Sequence, residues 1–231
     1  MNETPIFKCF ICEHTLIEEL QDNICSYCGK REKGDWICPN HHYICEACRT
    51  SLPIDVINTV IMNTKMSDPW EIATLVMKHP MFPPHGIPHH LLVAPSILVS
   101  LLNSNQIEFS RENILLALKR TLDIPLGVCG SRGDCGACVG AGAAVSMILK
   151  ANYNSDRERV LTLKATANAL LEIAGMGGHR CCKQSVYASI KSCISLLENE
   201  LNFHLTIKEE RCQFSKTIQD CKKENCPFYR G

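Results

Sequence analysis

The sequence carries no excess of charge, because 24 basic residues are matched by 24 acidic ones. Overall charge therefore implies no nucleic acid or other polyanionic partner, and no block of like charges marks a binding tail. Also missing is any run of about 18 uninterrupted apolar residues, the length a membrane span requires. The opening stretch MNETPIFKCFICEHTL has no basic segment followed by an apolar one, so it does not read as a secretory leader. Together these absences predict a cytoplasmic chain with no place in the membrane. One further gap is internal: no cysteine occurs in the 80 positions from 49 to 128.

Elsewhere cysteine is abundant, with 16 in 231 residues. In a secreted chain so many would pair as disulfides; in a reducing compartment they point to metal binding or redox chemistry. Seven fall within residues 9–48 and nine within 129–226. The gap between them predicts a zinc-binding module over residues 1–52 and a helical, cysteine-rich domain over 53–231. Hydrophobic residues make up 45% of the chain, enough for the larger part to bury a core.

In the first group the spacing is informative. Cys9-x2-Cys12, Cys25-x2-Cys28 and Cys45-x2-Cys48 are three knuckles, and CPNHHYIC adds Cys38 with His41 or His42. Two intervening residues let both thiolates of a knuckle turn towards one ion while backbone N–H groups point at the sulfurs. Eight ligands in four pairs suffice for two tetrahedral zinc ions. His42 is preferred as the eighth, since Cys-x3-His-x2-Cys leaves the tighter return to Cys45. The pairs can interleave, as in a RING-like cross-brace, or follow one another as tandem zinc ribbons; spacing does not choose. About 50 residues bury little apolar surface, so the metal would supply the folding energy.

The rest of the chain reads as helices, giving a mostly α fold. DPWEIATLVMKHP offers Asp68 as N-cap, Pro69 at the first helical position and Glu71 to complete a capping box. SRENILLALKRTL begins with a second cap, Ser110. Over residues 156–174 the apolar spacing puts Val160, Leu163, Ala167, Leu170, Leu171 and Ala174 on one inward face, and residues 185–201 repeat the pattern.

Within this part, GVCGSRGDCGACVGAG (residues 127–142) packs six glycines and three cysteines into sixteen positions. It lacks the Gly-Lys-Ser/Thr ending of a phosphate loop, and its helical surroundings do not suit a dinucleotide fingerprint. A cradle for a cluster suits it better, because glycine lets backbone N–H groups approach bridging sulfides. Cys129 and Cys135 sit in the glycine loop. Cys181 or Cys182, together with Cys212, Cys221 and Cys226, would complete an iron–sulfur site, most simply 4Fe–4S. Cys138 is read equally as ligand or packing residue, and Cys193, on an apolar helix face, as core. In HPMFPPHGIPHH, His85, His89 and His90 are candidate proton donors or non-cysteine ligands, with His79 nearby.

The stretches HGIPHHLLVAPSIL, CGSRGDCGACVGAG, GGHRCCKQ and CPFY, in this order, resemble domain-of-unknown-function family 5714, a cysteine-rich family of anaerobic archaea and bacteria. In that family the domain also occurs attached to methyltransferase-type domains, which implies a redox or methyltransferase-type protein partner. The chain departs from the family pattern at Ile87-Pro88, at Cys138 where alanine is usual, at His179 and at Gln184. The resemblance implies no known reaction. Two functions remain open at this point: an iron–sulfur and zinc protein with a redox or sulfur-transfer role, as enzyme or accessory protein, and an all-zinc adaptor that docks a partner enzyme.

Overall fold

The computed structural model describes residues 6–230, which divide into two compact units. One takes the residues up to Thr64 together with Leu75–Phe82; the other takes Lys65–Thr74 and everything from Pro83 on. The expected class is borne out: the chain is mostly helical with one small two-stranded sheet.

In the first unit, β1 (Ile17–Ile24) pairs antiparallel with β2 (Arg31–Ile37), with an irregularity between Glu18 and Gln21. The tight connection between them carries Cys25 and Cys28, and closes through Gly29 at φ +73°. Short α1 (Glu46–Arg49) holds Cys48. Helix α2 (Pro53–Asn63) begins on a proline whose missing N–H costs nothing there and buries Val56, Ile57, Val60 and Ile61.

Helix α3 (Pro69–Met77) contributes residues to both units. Asp68 caps it as its sequence suggests, its Oδ1 accepting from Trp70 N at 2.8 Å and Glu71 N at 3.2 Å. The second unit is built from α4 (Pro88–Asn103), α5 (Arg111–Leu115), α6 (Val128–Ser131), α7 (Gly136–Ile148), α8 (Arg157–Gly175) and α9 (Cys182–Leu201). Ser110 Oγ caps α5 by accepting from Asn113 N at 3.1 Å, but after one turn the chain tightens into a 3-10 helix over Leu116–Arg120. Central α7 touches α4, α8 and α9, and it does so at backbone distance. A Cβ at Gly140 would lie 3.0 Å from Val93 Cβ, and one at Gly142 would lie 2.2 Å from Thr166 Oγ1.

Helix α8 turns a different face inward from the one its apolar spacing suggests. Leu161, Ala165 and Ala169 are buried, whereas Val160, Leu163 and Leu171 are 42%, 54% and 71% exposed. The close approach at Gly142 and Thr166 sets this face inward, which leaves Leu163 and Leu171 outside. Beyond α9 the tail has little regular structure, and aromatic packing ties it down. Trp70 stacks on Tyr187 at 3.9 Å, meets Phe228 edge-on at 5.1 Å and donates Nε1–H to Arg211 O at 3.3 Å. Among the described residues no helix is long and apolar enough to cross a membrane.

Candidate metal centres

The first unit gathers its cysteines into two sets. Cys9, Cys12, Cys38 and His42 form one; Cys25, Cys28, Cys45 and Cys48 form the other, and in each the donor atoms all lie within 4.8 Å of one another. The first pair joins the third and the second joins the fourth, which is the interleaved arrangement. The sheet explains it: β1 leaves the first pair and β2 leads to the third, so antiparallel pairing returns Cys38 beside Cys12. Sγ atoms of Cys12 and Cys38 are 3.4 Å apart, those of Cys28 and Cys45 3.7 Å, and Cys38 Sγ lies 3.7 Å from His42 Nδ1. A tetrahedral ion with bonds near 2.3 Å puts its sulfurs about 3.8 Å apart. Both sets can hold a metal ion, and their donors fit zinc.

Backbone amides support these sulfurs. Ile11 N donates to Cys9 Sγ at 3.4 Å, Lys30 N to Cys28 Sγ at 3.5 Å and Cys45 N to Cys25 Sγ at 3.5 Å. Burial pushes the Cys12 thiol up, but donors from the His14 backbone, Cys38, His42 and Asn40 outweigh it and bring it down to about 6. His41 is exposed at φ +58°, so the chain turns there and His42 faces the sulfurs. His79 belongs to this unit: its Nε2 lies 2.7 Å from Cys48 O, and it holds the carbonyl of a candidate ligand residue.

In the second unit the later cysteines separate into two pockets. Cys181, Cys212, Cys221 and Cys226 line one, with Gln184, Tyr187, Phe214 and Phe228. Cys129, Cys135 and Cys182 line the other, with His89, His90, Asp134 and Arg180. The candidate cluster ligands are thus not brought together into one site. Vicinal Cys181 and Cys182 part because the helix starts between them. Cys181 is the N-cap of α9 in extended conformation and Cys182 its first helical residue, so their side chains leave in different directions.

Three of the four sulfurs of the tail pocket have an N–H donor. Gln184 N donates to Cys181 at 3.5 Å, Gln184 Nε2 to Cys226 at 3.4 Å and Lys223 N to Cys221 at 3.4 Å. Lys222 Nζ fixes the Gln184 amide by donating to Oε1 at 2.7 Å. Among the described residues only the two N-terminal sets close within 4.8 Å, so these four sulfurs stand further apart. Buried Lys183 lies alongside, donating to Pro84 O at 3.1 Å with Nζ 5.0 Å above the Phe214 ring. Burial lowers its pKa and the thiols of Cys181, Cys182 and Cys212 oppose that.

In the other pocket, Cys135 is the N-cap of α7. The hydrogen bond from the Cys138 thiol lowers its pKa most, burial opposes, and the Ala137 and Cys138 amides bring it to about 6. Cys138 moves well upward through the same bond and burial. Burial lowers the pKa of His90 and pushes that of His89 well below the usual imidazole value. His89 Nδ1 is 3.1 Å from Gly86 O. His85 stands outside this lining, with Nε2 3.5 Å from Asp220 Oδ1. Cys193 lines neither pocket; its thiol donates to Ala141 O at 3.7 Å in the α7–α9 contact.

A model for the family of unknown function DUF5714 matches residues 57–229. The chain belongs to DUF5714. The matched span takes in both thiol pockets and begins after Cys48, so the interleaved sets lie outside it. No curated protein and no solved structure matches the chain. In this DUF5714 chain, sequence reasoning passed over Gln184, Lys183 and Lys222 as parts of a site. The departure at Gln184 from the family pattern, and the position of Lys183 and Gln184 directly after the vicinal cysteines, were the available signals.

Proposed function

We propose that the chain is a zinc and iron–sulfur protein with a redox or sulfur-transfer role. Zinc would occupy the two interleaved sets as a scaffold, since four protein donors leave no open position for chemistry. A 4Fe–4S cluster would be held by Cys181, Cys212, Cys221 and Cys226. The observation that carries the second assignment is the tail pocket itself: four cysteines, three of their sulfurs with an N–H donor, spread too widely for one ion. Cluster thiolates bind separate irons at the corners of a cube, and hydrogen bonds to sulfur tune the potential. The buried ammonium of Lys183 supports thiolates there, because a buried cation is stable only near compensating negative charge.

Cys129, Cys135 and Cys182 are left as thiols in this reading, with His89 and His90 as the proton carriers beside them. His85, paired with Asp220, is a positioning contact near Cys221. Sixteen cysteines with no disulfide among them suit a reducing cytoplasm, and a redox or methyltransferase-type protein is the fitting partner. The runner-up is the all-zinc adaptor, favoured by the knuckle-like turn at Cys221, which matches those at Cys9 and Cys28. Anaerobic purification followed by iron, zinc and acid-labile sulfide analysis decides between them. Brown protein with iron and sulfide is expected; colourless protein containing only zinc would sink the cluster.

A further inference from the structure

We propose that Cys135 and Cys138 form a redox-active dithiol that reduces small disulfides in the pocket at the start of α7. This deepens the redox role by naming a substrate class, and rests on that reading only in leaving the metal to Cys181 and the tail cysteines. Three observations carry it.

The first is placement. Cys135-Gly-Ala-Cys138 starts a helix of 13 residues, with Cys135 as N-cap and Cys138 three residues on. Residues so spaced are neighbours on a helix, with Cβ atoms about 5–6 Å apart. The second is asymmetry. Cys135 lines the pocket and is 7% exposed, whereas Cys138 is 0% exposed. One sulfur meets a substrate and the other waits behind it. The third is the neighbour. The His90 ring lies so close over the helix start that a Cβ at Gly136 would come within 2.3 Å of its Cγ. Buried His90 Nδ1 has no hydrogen-bond partner among the described residues, so an unspent proton carrier stands in the pocket wall. The depressed Cys135 thiol and elevated Cys138 thiol agree with this division of roles.

The chemistry balances without a cofactor. The Cys135 thiolate attacks one sulfur of a disulfide R–S–S–R; that S–S bond breaks, a mixed disulfide forms and one thiolate leaves. Cys138 gives its proton to the departing thiolate through His90 Nδ1 and attacks Cys135 Sγ. The second thiolate leaves and takes the proton that Cys135 had released to solvent. Two electrons pass from the dithiol to the substrate, giving two thiols and a Cys135–Cys138 disulfide, which an external dithiol reduces again. A small substrate is required because Cys135 is almost covered. Arg180 in the lining suits a disulfide that carries a carboxylate.

The test uses the full chain, purified without oxygen and treated with oxidised glutathione. Peptide mass mapping should find a Cys135–Cys138 disulfide in the wild type. Cys138→Ser should instead accumulate a Cys135–glutathione adduct, roughly tenfold over wild type because resolution is blocked, and Cys135→Ser should form neither. The wild-type result needs no variant to fold. Absence of the Cys135–Cys138 disulfide, or an adduct placed elsewhere in Cys138→Ser, overturns the proposal. So does loss of iron in either variant, which would make this pocket a metal site. Wild type that forms the disulfide yet contains no iron would sink the cluster and leave the dithiol standing.

Discussion

The same local device serves two regions of this chain with different results. Near the N-terminus, the N–H two residues beyond Cys9 and Cys28 donates to the cysteine sulfur, and the tail repeats that turn at Cys221. In the first region a two-stranded sheet folds the turns onto one another, and sulfurs meet at 3.4 and 3.7 Å. In the second, one sulfur comes from a helix start and three from a segment strapped across it by Trp70 and Phe228. There they stay apart. The turn decides that a sulfur will be presented with a donor. The larger elements decide how far apart sulfurs stand, and therefore whether an ion or a cluster suits them.

Metal removal should separate the regions most sharply. Structural zinc contributes roughly 10 kcal/mol or more to small modules. A zinc chelator should therefore unfold residues 6–52, read as loss of amide protection there, while α4, α7 and α9 keep theirs. Equal loss across both regions would erase the contrast. Next comes the junction at α9. Cys181→Ser should remove nearly all of about four irons per chain, whereas Cys182→Ser should keep them, with zinc unchanged in both. If the two variants lose iron equally, the parting of the vicinal cysteines is misread.

Smaller effects test the packing that holds the pockets. Gly136→Ala drives a methyl into His90, and overpacking of this kind costs about 1–3 kcal/mol, read as a lower Tm. Gly130→Ala, where a Cβ meets nothing within 4 Å, should change stability by no more than about 0.5 kcal/mol. Cys193→Ala should cost about 1 kcal/mol for a small cavity and leave iron and zinc intact. Loss of either metal would mark Cys193 as more than packing.

What was legible in the sequence follows the range of the forces involved. Knuckles and the Asp68 and Ser110 caps depend on a few neighbouring residues and could be read directly. The histidines at the start of α4 could be read for the same reason. The pairing of knuckles could not, because strand pairing brings residues 12 and 38 together. Nor could the division of the later cysteines, which turns on one residue's difference in where α9 begins. The inward face of α8 was misread because Leu163 and Leu171 outweigh Ala165 and Ala169 in apolar area, while contact with Thr166 selects for smallness.

That division at α9 has a consequence for how the two pockets are joined. Cys181 and Cys182 are joined by a single peptide unit, their Cα atoms about 3.8 Å apart, yet they open onto separate pockets. A cluster held in part by Cys181 and the thiol pocket that Cys182 lines would thus stand one peptide unit apart. The helix start works as a junction, because a shift of one residue in where α9 begins would exchange which sulfur faces which pocket.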